Sequence, residues 1–286
     1  AFVCPYHGWT YGLDGSLRHL PHAHGFPPPA GGDGEADRAL VRVAAAERHG
    51  FVVVDQHAPP AEPLRLDGPW DEVAGVVTPD HRLEGSSTSE EPVNWKLMAE
   101  TFLEGLHIRF LHRETFFPLQ YDNVTVVEDF GPHSRVAFPY RALARLADVP
   151  PAERTVDGRL TYVYHLFPNV MVATFPGRRV LVVGLEPLAV DRTRVHIDGL
   201  VAGRAVVSGA GGRREGGDGE DRRGGGGPDL VARGGAEDFT VARSVQRGLA
   251  AGANTHLEFG LFEGAIAHFH RMLDAALADL PAGAAL

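Results

Sequence analysis

The chain has 286 residues, 44% of them hydrophobic, which suffices for one large core and a smaller lobe. A formal net charge of −10 excludes the basic face that a nucleic-acid binder needs, and no apolar run is long enough to cross a bilayer. The single cysteine, Cys4, excludes an internal disulfide framework and fits a reducing, cytoplasmic compartment.

Residues 1–20 read as a tight β unit, because Asp14-Gly15 between Tyr11 and Leu17 is a hairpin signal. Pro27-Pro28-Pro29 followed by Gly31, Gly32 and Gly34 is loop by composition. Phe51–Asp55 reads as a short buried strand, and the Pro-rich segment from Ala58 to Pro63 as a linker. The expected boundary therefore divides residues 1–57 from a second domain, 58–286. That domain is expected to open near Trp70 and to carry a helix from Trp95 to Phe110. Short β-branched runs follow at Val124–Val127, Tyr162–Leu166, Val170–Phe175, Val180–Leu185 and Val195–Val201, separated by turn formers such as Pro176-Gly177. They predict an antiparallel sheet. Phe262, Ile266, Phe269, Leu273 and Leu277 recur at helical spacing and predict a packing helix at the end, so the fold class is α+β. Gly209–Gly227 offers only Ala210 as apolar surface and reads as a flexible loop or a sequence artefact.

Cys4-Pro-Tyr-His7 sets a thiolate and an imidazole at C-x-x-H spacing just before the hairpin. Alone, that pair fits zinc, haem attachment or no function. A richer pattern lies at Asn94-Trp95-Lys96 through Glu100, Glu104, His107 and His112. Glu104 and His107, three apart, share one face of a helix. His112 is five beyond His107, an angular step of roughly 140° on an ideal helix, so both reach one metal only if the helix bends or ends near Phe110. Two neutral imidazoles with one carboxylate leave coordination positions free and suit ferrous iron.

Cys-Pro-Tyr-His-Gly-Trp followed by Tyr-Gly-Leu-Asp-Gly closely resembles the second cluster-binding loop of Rieske proteins. The segment from Asn94 to His112 resembles the catalytic motif of Rieske non-haem iron oxygenase α subunits. Ala236-Glu237-Asp238-Phe239 with Gln246-Arg247-Gly248 resembles that family's late acidic segment. The resemblance implies a partial Rieske β lobe and a helix-grip (START-like) catalytic domain. By it, Cys4 and His7 bind a [2Fe–2S] cluster whose other Cys and His come from an earlier loop, so truncation at the N-terminus is expected and this chain alone should not turn over. His107, His112 and Asp238 become Fe(II) ligands. Glu104 becomes a carboxylate bridging to a cluster histidine of a neighbouring subunit in a homotrimer, at a place where many members carry Asp. Glu237 is the rival to Asp238, with Glu258 and Glu263 behind it; Glu100 is as compatible with packing as with the site, and His268 and His270 are given no metal role.

The activity implied is dioxygen activation beside a small organic substrate, fed by electrons from NAD(P)H through a reductase and sometimes a ferredoxin. An aromatic substrate is the expectation and a quaternary ammonium compound the alternative. Phe138, Phe167, Met171, Phe175 and Leu181 are the expected apolar lining. Two other classes compete: a non-catalytic carrier of a hydrophobic ligand, and a hydrolytic zinc site on the same three residues.

Overall fold

The computed structural model describes residues 1–27, 38–56, 64, 66–203 and 228–278. The chain divides into two compact units, Ala1–Leu66 and Asp67–Leu286. The expected boundary at 57/58, the Pro-rich linker, most of the Pro/Gly stretch and the whole of Gly209–Gly227 lie outside the described residues.

The first unit holds β1 (Phe2–Val3), β2 (Thr10–Tyr11) and β3 (Leu17–His19) in one antiparallel sheet. β2 and β3 form the hairpin expected at Asp14-Gly15, where Gly15 takes a φ of +81° and Asp14 Oδ1 accepts from the Ser16 N–H at 3.1 Å. A second ribbon pairs β4 (Ala44–Arg48) with β5 (Phe51–Asp55). β5 is not the buried strand its composition suggests. Val52 is 70% and Val54 51% exposed within this chain, since a two-stranded ribbon shields only the alternate residues on one face.

The second unit opens with a short helix, α1 (Trp70–Val76), and then builds a seven-stranded sheet. Its strands are β6 (His81–Glu91), β7 (Val126–Phe130), β8 (His133–Pro139), β9 (Leu160–Leu166), β10 (Val170–Phe175), β11 (Arg179–Ala189) and β12 (Arg192–Ala202). The order is β6-β12-β11-β10-β9-β8-β7, antiparallel at every step. β10 falls where the β-branched run placed it, and β9, β11 and β12 extend their runs by a few residues. β7 begins two residues later than Val124. β6 and β8 were not expected: β6 reads His-Arg-Leu-Glu-Gly-Ser-Ser-Thr-Ser-Glu-Glu, without apolar alternation. It is an edge strand held by pairing with β12 along its length, and its polar residues discourage further strand addition.

Three helices close the unit: α2 (Trp95–Glu100), α3 (Pro228–Ala250) and α4 (Gly264–Ala278). Met98, Ala99 and Leu103 around α2, Ala242 on α3 and Ile266 and Phe269 on α4 pack with Val136, Val163, Met171, Val183 and Val195 of the sheet into one core. Phe262 precedes α4 and Leu277 ends it half exposed, so the apolar stripe is shorter than its periodicity suggests.

Candidate metal centre

The single helix expected over Trp95–Phe110 does not form, and its interruption creates the site. Asn94 caps α2, its Oδ1 accepting from the Lys96 N–H at 2.9 Å. The helix stops at Glu100, after which the Thr101 hydroxyl donates to the Met98 carbonyl at 2.8 Å. Gly105 sits so close to Phe138 that an added Cβ would lie 3.2 Å from the ring. Glu104 Oε2 accepts from the Leu106 N–H and, at 3.3 Å, from the His107 N–H, which captures donors that a continuing helix would need. A 3₁₀ turn, Leu106–Arg109, then carries His107, and a following turn carries His112. The break removes the angular mismatch between residues five apart.

The third donor comes from α3, which two contacts hold in place. Gln246 Oε1 accepts from the Asn94 N–H at 2.9 Å, and Arg243 Nε donates to the buried Glu91 carboxylate at 2.7 Å. Asp238 Oδ1 then lies 3.0 Å from His112 Nε2 and 3.7 Å from His107 Nε2. One donor atom from each of the three residues lies within 4.8 Å of the others. Among the described residues this is the only such cluster of three or more.

The opposite nitrogen of each ring is already committed. Glu104 Oε1 meets His107 Nδ1, and Glu237 Oε2 meets His112 Nδ1 at 2.7 Å while accepting from the Thr115 hydroxyl at 2.7 Å. In a neutral imidazole with its proton on Nδ1, Nε2 carries the lone pair. Both Nε2 lone pairs therefore face the Asp238 carboxylate, whose Oδ1 is buried without a hydrogen bond among the described residues. Donors facing donors without a proton between them is the arrangement a cation resolves. Burial opposes a charged His112, yet the Asp238 and Glu237 carboxylates beside it outweigh burial and raise its pKa, so this point favours positive charge. The spacing agrees: two ligands about 2.1 Å from one ion at a right angle stand about 3.0 Å apart. These residues fit a divalent first-row metal.

The three donors line a cavity of about 630 Å³. Phe138, Phe175 and Leu181 of the expected lining are there; Phe167 and Met171 are not, because Phe167 packs on Phe269 and Met171 is wholly buried in the core. Phe102, Phe116 and Phe239 complete the wall and were not foreseen. Phe116 follows His112 by one turn and Phe239 adjoins Asp238, so proximity to the motifs was the available signal. Phe116 meets the His112 ring edge-on at 4.9 Å and stacks near Phe175.

Of the remaining candidates, Glu100 binds His270 at 2.8 Å, Glu263 accepts from the Gly260 N–H at 2.6 Å, Glu258 is exposed and His268 approaches Asp129 at 3.4 Å. None of them joins the cluster. In the first unit, Cys4 and His7 share one turn, closed by Gly8 N–H to Cys4 O at 2.9 Å and made possible by the positive φ of Gly8. Backbone N–H groups of Tyr6 and His7 directed at the sulfur lower the Cys4 thiol pKa.

The family model for the ring hydroxylating alpha subunit (catalytic domain) matches residues 79–279. The carnitine monooxygenase oxygenase subunit of Acinetobacter baumannii is 30% identical over 113 residues, 37% of this chain and 28% of the relative. The chloroplastic choline monooxygenase of Spinacia oleracea is 28% identical over 128 residues, 42% of this chain and 28% of its own length. The matched segments thus span little more than a quarter of these curated relatives. A quaternary ammonium Rieske monooxygenase solved with L-carnitine superposes with a TM-score of 0.66 at 22% identity, covering 96% of this chain and 70% of its own. Naphthalene 1,2-dioxygenase from Rhodococcus sp., bound to indole, gives 0.65 at 18% identity, covering 98% and 76%. Helices and a large antiparallel sheet in this arrangement are the fold of Rieske oxygenase catalytic domains.

Proposed function

The chain belongs to the ring-hydroxylating α-subunit family, and from that premise we propose that His107, His112 and Asp238 hold Fe(II) in the terminal oxygenase of a multicomponent system. The observation carrying this reading is the convergence of two Nε2 atoms and one carboxylate, with each Nδ1 held by a glutamate. When bound, ferrous iron supplies dioxygen activation beside the substrate; the two-histidine, one-carboxylate set is the one suited to that task. Glu104 and Glu237 fix tautomer and ring orientation, as outer carboxylates do at metal sites. The phenyl rings of the cavity keep water from the reacting groups and present an apolar surface to the substrate.

Several parts of the proposal rest on the family rather than on the site. Cys4 and His7 would be one Cys and one His of a Rieske [2Fe–2S] cluster, and Ala1–Leu66 would belong to the lobe that carries it, with the catalytic domain following. Glu104 would also reach a cluster histidine of a neighbouring subunit in a homotrimer. Two electrons from NAD(P)H, relayed by a reductase and in some systems a ferredoxin, would balance the reduction of dioxygen. No described helix is long and apolar enough to cross a membrane.

Five phenylalanine rings in a largely apolar wall support a flat aromatic substrate. The names of the curated relatives favour a second reading, oxidation of a quaternary ammonium compound, since phenyl faces also hold cations. Paired probes separate them: phenyltrimethylammonium binding more tightly than neutral tert-butylbenzene supports the second. Anaerobic Fe(II) loading followed by metal analysis tests the centre. About one tightly held iron per chain, lost in His107→Ala, is expected. Preference for zinc with no dioxygen consumption beside a competent electron donor would instead support a hydrolase, and ligand binding indifferent to His107→Ala with no metal uptake would support a carrier.

A further inference from the structure

The charged groups of the cavity wall are committed before any substrate arrives. Glu104 is held by His107, Asp238 faces the two imidazoles, and Glu84 pairs with Arg179. Against the phenyl rings, two uncharged polar side chains stand out because they are deeply buried yet line the cavity: Gln120 and Thr161, each 4% exposed. Thr161 occupies the row of β9 that also carries Val163, opposite Phe138 of β8, where an apolar residue would pack equally well. Gln120 Nε2 donates to Thr161 Oγ1 at 3.2 Å, and the Tyr140 hydroxyl meets the same oxygen at 3.0 Å from behind. The Gln120 backbone is fixed as well, its N–H donating to the Phe116 carbonyl at 2.9 Å and an isolated antiparallel bridge linking it to Tyr140.

A carboxamide has two donor and two acceptor positions. The recorded contacts of the Gln120 carboxamide, to Thr161 and to the Tyr140 hydroxyl, are ones in which its amide nitrogen donates, and none among the described residues engages its amide oxygen, which lies at the cavity wall. A polar group left open at an apolar wall is costly unless something satisfies it.

We infer that Gln120 and Thr161 form a polar anchor that selects an uncharged, largely apolar substrate carrying one hydroxyl or carbonyl group. The inference rests on reading this cavity as the substrate site of the oxygenase. A substrate hydroxyl would donate to the Gln120 amide oxygen, while a carbonyl would accept from the Thr161 hydroxyl. Either contact turns the molecule in one sense relative to His107, His112 and Asp238, so the anchor also decides which carbon faces the metal position.

The test compares 2-naphthol with 2-methylnaphthalene, which differ in one polar group, by equilibrium binding to the Fe(II)-treated protein and its variants. Thr161→Val and Gln120→Met should each weaken 2-naphthol by about tenfold while leaving 2-methylnaphthalene within about twofold. Thr161→Ser, which keeps the hydroxyl, should retain wild-type selectivity and shows that the loss is not a folding defect. Equal losses for both probes, unchanged 2-naphthol binding in both variants, or no saturable 2-naphthol binding to the wild type would each overturn the anchor. Iron content of the same samples reports on the metal reading separately: selective naphthol binding without iron uptake would sink the oxygenase proposal and leave the anchor standing.

Discussion

His112 and Glu237, 125 positions apart in the chain, are joined by a 2.7 Å hydrogen bond from Nδ1 to Oε2, and that bond decides which nitrogen faces Asp238. The neighbouring carboxylates of α3 thereby take opposite sides of the ring, Glu237 on Nδ1 and Asp238 on Nε2.

Glu237→Gln should keep the helix and lower metal affinity by about 10- to 100-fold, the range found for outer-shell partners. Glu100→Gln, which loses only its pairing with His270, should leave affinity unchanged. Anaerobic Fe(II) or Co(II) titration of the two variants makes the comparison, and equal behaviour would remove Glu237 from the site.

Gly234 on α3 is buried against Phe116: an added Cβ would fall 2.7 Å from Cζ and closer still to Cε2. Alanine gains about 1 kcal/mol in helix propensity, but overpacking costs about 1–3 kcal/mol, so the clash outweighs the gain. Gly234→Ala should therefore displace the Phe116 ring, which touches His112, and weaken both metal and aromatic-probe binding. Adding Phe116→Leu should restore much of the metal affinity.

Arg243 covers the buried carboxylate of Glu91, tying α3 to the end of β6. Arg243→Met should lower unfolding stability by about 2–3 kcal/mol, because it strands a buried charge. Urea unfolding of a double-mutant cycle with Glu91→Gln checks this; the pair should lose less than the sum of its singles.

His165 is fully buried in β9, its Nε2 bonded to the Pro168 carbonyl at 2.9 Å and its Nδ1 without a partner among the described residues. Burial, with His133 and His268 nearby, depresses its pKa to about 4. The unfolded chain takes up that proton near the ordinary value of 6.5 and the folded chain only near 4. Stability is therefore complete above pH 6.5 and falls as pH drops toward 4, by about 3 kcal/mol. His133, lowered by its own burial, adds a loss of the same sign. Unfolding free energies measured between pH 7 and 4 should slope downward, and the His165 ring resonance should stay still until about pH 4.

Local chain chemistry was enough to reveal the β-branched strands from β9 to β12 and the Asp14-Gly15 hairpin, while the family resemblance singled out His107, His112 and Asp238, whose donor atoms the fold brings together. Each of these signals depends on a side chain and its near neighbours in sequence. β6 was invisible because its eleven residues are mostly polar, and only pairing with β12 makes them a strand. The long helix expected through Phe110 failed because Glu104 captures backbone donors of the next turn, a competition that periodicity does not register. The choice between Glu237 and Asp238 depended on the rotation of α3 about its axis. Contacts from Arg243 and Gln246, each 152 residues from its partner, hold that helix in place, so which of the two adjacent acids bonds His112 Nδ1 and which faces the Nε2 atoms waited on the assembled fold.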